Sequence, residues 1–138
     1  MHALAWRRAA LVLAIFGFWL AFAPTSVGGR MDYVTVQGHS MEPTFHTRDL
    51  VLITRHRSYR IGDIIAYTAE TMGGATIIHR VIGIADGRFI TKGDNNNFVD
   101  IYRPTLADIR GSKQLLIRSG ADLVSRLHSR TVFTAIVG

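Results

Sequence analysis

The chain has 138 residues, no cysteine and a formal net charge of +6 at neutral pH. This length allows at most one small domain, and the lack of cysteine predicts a fold that is held without disulfides. Blocks of adjacent basic residues are no longer than two. The charge therefore does not predict a nucleic-acid partner, and it fits a solvated surface or anionic lipid headgroups better.

The N-terminal part of the chain is apolar. Residues 9–29 contain no charged side chain, and this stretch is close to the roughly 20 residues that a helix needs to cross a bilayer. Arg7 and Arg8 precede it, which predicts a cytoplasmic N-terminus with the rest of the chain outside. The alternative is a cleaved secretory signal that ends near the small residues 21–23. We favour a retained transmembrane helix within residues 1–30 and a location in the cell membrane.

Short segments rich in β-branched and aromatic residues follow, separated by turn signals. They lie at residues 33–36, 50–54, 63–68, 76–84, 88–92 and 113–118. The fourth and fifth segments form a predicted hairpin, because Gly87 can adopt the positive φ that its turn requires. The sequence therefore predicts a mainly β, antiparallel domain over residues 31–120.

Residues 121–138 form a separate tail. Leu123, Val124 and Leu127 share one helical face, and the apolar end of the chain is too short to span a bilayer. We interpret the tail either as the start of a second membrane segment or as an amphipathic segment on the membrane surface.

Ser40 is the first candidate for chemistry. A loop serine before Pro43 is most simply a turn residue, and it becomes a nucleophile only when a base accepts its proton. The candidate bases are the histidines at positions 39, 46, 56, 79 and 128. His79 differs from the others because it lies within an apolar strand, on the face of Ile77 and Val81. On residue type alone, a core histidine with a satisfied ring is the alternative.

Two acidic residues follow the strand that pairs with the His79 strand. Asp94 or Asp100 could accept the imidazole N–H and so select the tautomer of the base. The same Asp and Asn residues are also typical of a turn. The loop lacks the spacing of a calcium loop, and no His or Cys cluster has zinc spacing. The sequence therefore predicts neither a metal nor a cofactor.

Taken together, these segments resemble the type I signal peptidases. The stretches "GHSMEPTF", "RDLVLI", "YRIGDIIAY", "IIHRVIGI" and "TKGDNNNFVD" follow the order of that family between residues 34 and 101. The resemblance implies an antiparallel β-sheet or partial-barrel catalytic domain. It also implies Ser40 as the nucleophile, His79 as the base, Asp100 as the third member and Asp94 in a supporting role.

Three positions distinguish this chain within the family. His79 stands where most bacterial members carry lysine, so the chain resembles the Ser/His branch of endoplasmic-reticulum, archaeal and some Gram-positive members. Gly38 stands where many members have a serine that helps to bind the oxyanion. Arg48 stands where glycine is usual.

The resemblance implies a membrane-bound serine endopeptidase that removes signal peptides from exported preproteins. The preprotein would add as an extended strand and be cut after small residues of Ala-x-Ala type. The predicted substrate-binding residues are Val34, Val36, Gly38, Met41 and Ile77. The alternatives are a specialised pilin or matrix-protein peptidase and an inactive membrane-anchored β module that binds other molecules.

Overall fold

The computed structural model describes the backbone of residues 2–22 and 31–126, and the side chains of residues 6–19 and 31–126. Contacts within the chain divide it into two compact units, Met1–Asp32 and Tyr33–Gly138. The limits 1–30, 31–120 and 121–138 assigned from the sequence stay predictions.

The N-terminal unit contains one helix, α1, which spans His2–Phe22 and is mostly apolar. Its described side chains are exposed, for example Leu13 at 70% and Phe18 at 66%. In the part of the chain that the structure describes, no helix has both the length and the hydropathy of a membrane-spanning segment. The predicted N-terminal transmembrane helix is therefore not supported. Residues 23–30, where the predicted apolar stretch ends, lie outside the described residues.

The described residues from Met31 onward form one six-stranded sheet in the order β1-β2-β6-β3-β4-β5. Antiparallel pairing joins β2 to β6, β6 to β3, β3 to β4 and β4 to β5. This open sheet confirms the mainly β, antiparallel fold class. The strands are β1 Met31–Thr35, β2 Leu50–Thr54, β3 Ile64–Ala69, β4 Ala75–Ala85, β5 Arg88–Lys92 and β6 Ile109–Ile117.

Strand β3 is buried on both faces of the sheet. Ile64 and Ala66 belong to one hydrophobic cluster, whereas Ile65 and Tyr67 belong to the cluster on the other face. This follows from the continuous apolar run of the strand, since successive side chains point to opposite faces. His79, on the neighbouring strand β4, lies on the same face as Ile65 and Tyr67.

The predicted hairpin joins β4 to β5. Its turn consists of Asp86 and Gly87, which both have positive φ, 50° and 70°, so the two-residue loop matches the twist of the flanking strands. The paired residues run from Arg80 opposite Lys92 to Ala85 opposite Arg88. The loop that follows β5 therefore starts beside the middle of β4.

β2 and β5 match their predicted bounds, the ends of β3 and β4 lie one residue from theirs, and β1 and β6 differ by more. β6 begins at Ile109 instead of residue 113. The prediction missed its first residues because Gly111 and Ser112 interrupt the apolar pattern there. Gly111 is needed there, since a Cβ at this position would lie 2.8 Å from the backbone of Thr54. β1 begins two residues before its predicted start and ends at Thr35, one residue before its predicted end.

The described part of the C-terminal tail is helical from residue 120 to residue 126. Leu123 and Val124, on the predicted helical face, are exposed there. Residues 127–138, including Leu127 and His128, lie outside the described residues. The interpretation of the tail as a membrane segment stays a prediction.

Candidate active site

His79 lies in the middle of β4, opposite Ile65 of β3. Only 8% of its surface is exposed, and Val81 on the same strand face is buried in the hydrophobic cluster there. A buried imidazole needs hydrogen-bond partners at its nitrogens. Both ring nitrogens of His79 have one, and neither partner belongs to β4 or to a neighbouring strand.

The first partner is Ser40, in the loop between β1 and β2. Its Oγ lies 3.0 Å from His79 Nε2. The main chain of Ser40 is also held, because its carbonyl accepts a hydrogen bond of 2.8 Å from the Asn95 N–H. Gly93 makes this approach possible, since a Cβ there would lie 2.5 Å from the Ser40 carbonyl oxygen.

The second partner is Asp100, whose Oδ2 lies 2.6 Å from His79 Nδ1. The same oxygen accepts hydrogen bonds from the Thr91 hydroxyl at 2.8 Å and the Tyr67 hydroxyl at 3.1 Å. Burial raises the pKa of Asp100, but the hydrogen bonds from His79, Thr91 and Tyr67 outweigh it and hold the pKa below its ordinary value. Asp100 is therefore ionised at neutral pH.

Asp94 lies on the same loop and faces a different partner. It forms a bidentate ion pair with Arg80, in which Oδ1 lies 2.8 Å from Nε and Oδ2 lies 2.7 Å from Nη2. It also accepts a hydrogen bond from the Thr44 hydroxyl. The Arg80 hydrogen bonds lower the pKa of Asp94, against the opposing effect of burial. Asp94 thus links the loop to β4 beside His79.

Gly38 and Arg48 both occupy left-handed backbone conformations, with φ of 84° and 76°. Glycine adopts this region freely, whereas a residue with a side chain is strained there. Glycine, which is usual in the family where this chain has Arg48, would therefore suit this turn better. The Gly38 carbonyl accepts a hydrogen bond from the Thr47 hydroxyl, which closes the loop.

A cavity of about 720 Å³ opens beside Ser40 and His79. Four predicted substrate-binding residues line it, namely Val34, Val36, Met41 and Ile77. Val36 and Met41 are almost fully buried and belong to the core as well. The fifth predicted residue, Gly38, is exposed and is not part of the cavity lining.

The other described histidines have partners elsewhere. His39 lies 2.7 Å from Glu42, His46 lies 2.6 Å from Arg118, and the His56 ring bonds to a side chain of β6. Among residues 6–19 and 31–126, no group of three or more ligating side chains could hold a metal ion.

Sequence reasoning missed Tyr67 and Thr91. Tyr67 shares a strand face with Ile65, which is opposite His79, and Thr91 is opposite Val81. The alternation of β3 and the hairpin register could have indicated that both hydroxyls point toward the His79 face. Neither residue belongs to a recognisable motif, so only the pairing of the strands reveals them.

Comparison with known proteins gives a family. A model described as Peptidase S24-like matches residues 18–111, which is more than half of the chain. The signal peptidase complex catalytic subunit SEC11C of Homo sapiens is 39% identical over 80 residues, covering 53% of this chain and 41% of that protein. The SEC11 subunit of Metarhizium acridum is 36% identical over 74 residues, covering 49% and 42%.

The chain spans about two fifths of the length of these curated relatives, at 41% and 42%. The matched stretch of the family model includes the Ser40 loop, β4 and the loop that carries Asp94 and Asp100. The resemblance to the type I signal peptidases is confirmed, and the chain belongs to the Peptidase S24-like family.

Proposed function

We propose that this chain is a serine endopeptidase that removes N-terminal signal peptides from exported preproteins. One observation carries the proposal: Ser40, His79 and Asp100 form a continuous hydrogen-bonded chain, with links of 3.0 and 2.6 Å. The similarity to signal peptidase complex catalytic subunits supports the choice of substrate class.

The proposed reaction begins at Ser40. An ionised Asp100 carboxylate only accepts hydrogen bonds, so His79 carries its proton on Nδ1 and presents the Nε2 lone pair to Ser40. Nε2 takes the serine proton as Oγ attacks the scissile carbonyl carbon. His79 then donates that proton to the leaving amine as the C–N bond breaks. Water hydrolyses the acyl-enzyme by the reverse sequence of proton transfers.

The negative charge on the carbonyl oxygen must be stabilised during attack. Gly38 supplies no hydroxyl, so backbone N–H groups near Ser40 carry this role in the proposal. Loss of one donor from such a site can reduce kcat by about 10²- to 10³-fold. The hydrogen bond from Asn95 N–H to the Ser40 carbonyl supports the proposal, because it restrains the main chain that presents these groups.

The cleft beside Ser40 fits an extended peptide. Residues from β1 line one part of the cavity and residues from β4 another, with Val34 and Ile77 as apolar members. We propose that a signal peptide binds there in extended form and that small side chains, typically alanine, fill the apolar pockets before the cut.

We also propose that the chain works at a membrane, with its β domain on the extracytoplasmic side. Helix α1 exposes apolar side chains such as Leu13 and Phe16, and helices that are apolar on all sides are typical of buried or membrane environments. The substrates of such an enzyme would reach it in the same bilayer.

A preprotein with an Ala-x-Ala site tests the proposal. Ser40→Ala and His79→Ala should each abolish cleavage, whereas His39→Ala should cleave normally, because the exposed His39 ring contacts Glu42 and not Ser40. A covalent probe that reacts with activated serines should label Ser40 in the wild type only. Cleavage by Ser40→Ala, or no labelling of a folded wild type, would rule out this function and favour a binding module.

The nature of the base is tested separately. His79→Lys should be inactive, because a lysine cannot accept the proton of Ser40 while bonded to Asp100 in the same geometry. Wild-type cleavage should also fall in acid, since a protonated imidazole cannot act as a base. A flat rate profile on the acid side would contradict a histidine base.

A further inference from the structure

Groups from three adjacent strands meet at one oxygen of Asp100. His79 Nδ1 on β4 lies 2.6 Å from Oδ2, the Thr91 hydroxyl on β5 lies 2.8 Å from it, and the Tyr67 hydroxyl on β3 lies 3.1 Å from it. Tyr67 and Thr91 are both fully buried. Nothing in the proposed reaction steps requires these two hydroxyls, yet they occupy the back of the site.

The proton count limits what the two hydroxyls can do. Each carries a single proton, and the two oxygens also lie 3.2 Å apart. Tyr67 therefore donates either to Asp100 directly or to Thr91, which in turn donates to Asp100. Both arrangements direct neutral O–H protons at the carboxylate and leave the imidazole N–H as the remaining donor to Oδ2.

The sheet determines where these hydroxyls lie. Tyr67 pairs with Ile77 across β3 and β4, and its ring stacks on Tyr102 with centroids 6.0 Å apart. Thr91 is opposite Val81 in the hairpin. Asp100 itself belongs to a loop, and its main-chain N–H donates a hydrogen bond of 2.9 Å to the Thr91 carbonyl. The two strand-borne hydroxyls therefore add to the restraint that His79 places on the carboxylate.

The charges around Asp100 are few. His79 faces it from β4 and Tyr67 from β3, while Tyr102 lies behind Tyr67. Asp94 acts on His79 from the start of the loop but is paired with Arg80. Burial, together with the charge of Asp100, raises the pKa of Tyr67, so its hydroxyl keeps its proton and remains a donor.

We infer that Tyr67, together with Thr91, is a positioning residue that aims the Asp100 carboxylate at His79 and spreads its negative charge. This inference rests on the proposed function. Without the Tyr67 hydroxyl, Asp100 gains rotational freedom and its charge is concentrated on the bond to His79. The His79–Asp100 pair then binds a proton more tightly, so that at a given pH on the acid side less of His79 is free to accept the Ser40 proton.

Tyr67→Phe tests this by removing one oxygen and keeping the ring. We expect kcat on an Ala-x-Ala peptide to fall roughly tenfold with KM unchanged, the scale of one hydrogen bond to a charged group. In the pH profile of kcat/KM, the fall on the acid side (the acid limb) should move to higher pH by roughly one unit, because the His79–Asp100 pair holds its proton more strongly. Loss of packing alone would lower activity without moving this limb.

Tyr59→Phe is the matched control. Tyr59 is buried in the same hydrophobic cluster, but its hydroxyl accepts a hydrogen bond from the His56 N–H and does not reach Asp100. Thr91→Val should reproduce the effects of Tyr67→Phe, and Thr91→Ser, which restores a hydroxyl, should recover most of the wild-type rate. An unmoved acid limb in Tyr67→Phe and Thr91→Val, beside an active wild type, would overturn the inference.

A second readout does not depend on cleavage. The proton of His79 Nδ1, in its short bond to Asp100, should give a far-downfield resonance in the NMR spectrum of the full chain. Tyr67→Phe should shift this resonance and speed its exchange with solvent, whereas Tyr59→Phe should not. An unchanged resonance in Tyr67→Phe contradicts the positioning role. A wild type that shows this resonance but cleaves no peptide contradicts the proposed function instead.

Discussion

Asp94 and Asp100 lie in the loop between β5 and β6, Asp94 near its start and Asp100 nearer its middle, and their surroundings differ in charge. Asp94 meets the Arg80 guanidinium through two hydrogen bonds. Asp100 meets neutral hydroxyls and the His79 ring. Because a guanidinium stays charged at all relevant pH values, the charge of Asp94 is already compensated, while that of Asp100 can still stabilise an imidazolium.

The same residue type therefore serves two purposes within a few positions. The Asp94 side attaches the loop to β4, and through Asn95 it reaches the main chain of Ser40. The Asp100 side contacts His79. The sequence left open which carboxylate orients His79, and the contacts support Asp100.

The largest expected effect comes from Asp100→Asn. An amide at this position can donate a hydrogen bond to Nδ1 and so favours the wrong tautomer of His79, a change expected to lower kcat by about 10⁴-fold. Asp94→Asn is the matched control and should lower kcat far less. Single-turnover cleavage of both variants measures this contrast. Equal losses would mean that the two carboxylates are not functionally distinct.

Gly93→Ala tests the Asp94 side at its contact with Ser40. The new Cβ would lie 2.5 Å from the Ser40 carbonyl, so the backbone of one loop must move, at a cost of about 1–3 kcal/mol. We expect lower stability in urea and reduced labelling of Ser40 by a serine-reactive probe. Gly83→Ala is a suitable control, because its Cβ would meet only the Ile90 side chain, at 3.2 Å. Wild-type labelling of Gly93→Ala would contradict the close approach.

Asp94→Asn removes the charge that holds Arg80. The partly buried Arg80 guanidinium then faces a neutral amide and loses its two hydrogen bonds to a charged carboxylate. We expect the free energy of unfolding to fall by about 1–3 kcal/mol. A double-mutant cycle with Arg80→Gln, followed by urea denaturation, measures the coupling. If the stability losses of the two single variants simply add in the double variant, the ion pair of Asp94 and Arg80 contributes no coupling energy.

Acid pH should weaken both parts of the loop. The pKa values of Asp94 and Asp100 are lowered from an ordinary value of 3.8 in the folded chain. Their stabilising contribution is therefore fully present above that value and is lost as the pH falls through the lowered folded pKa values. Denaturation experiments between pH 6 and pH 2 should show the free energy of unfolding decrease as the pH falls. The decrease should be smaller in Asp94→Asn. Identical slopes in both proteins would contradict the role of Asp94.

The smallest expected effect is Arg48→Gly, which touches neither carboxylate. Glycine relieves the left-handed strain at φ 76° and should stabilise the fold by up to about 1 kcal/mol. Loss of the surface ion pair with Asp122 offsets part of this, since such pairs contribute about 0–1 kcal/mol. Thermal melts measure the change, and kcat should remain that of the wild type. A clear loss of stability would contradict the strain at this turn.

Much of the site was predictable because its residues lie in short, recognisable segments. Ser40 is marked by its loop motif, and His79 by its place in an apolar strand. The roles of Asp94 and Asp100 were not separable, since that distinction depends on which group each carboxylate meets after the chain has folded. Tyr67 lay hidden for a similar reason, because an apolar strand with one tyrosine predicts only core.

The fold was predictable where the residue pattern was regular. The bounds of β2 and β5 agree with the predicted segments at residues 50–54 and 88–92. The start of β6 was missed because Gly111 serves a close backbone contact with Thr54 that no local pattern reveals. The transmembrane helix was inferred from apolar length alone, and the described helix does not support it.

The contact between Ser40 and the later loop also bears on when activity can arise. The Ser40 carbonyl is held by Asn95, and its hydroxyl is held by His79, so both contacts come from residues synthesised much later. A nascent or partly unfolded chain has a serine with neither a base nor a restrained main chain. In the proposed reaction, Ser40 therefore gains its base only after the hairpin of β4 and β5 has closed.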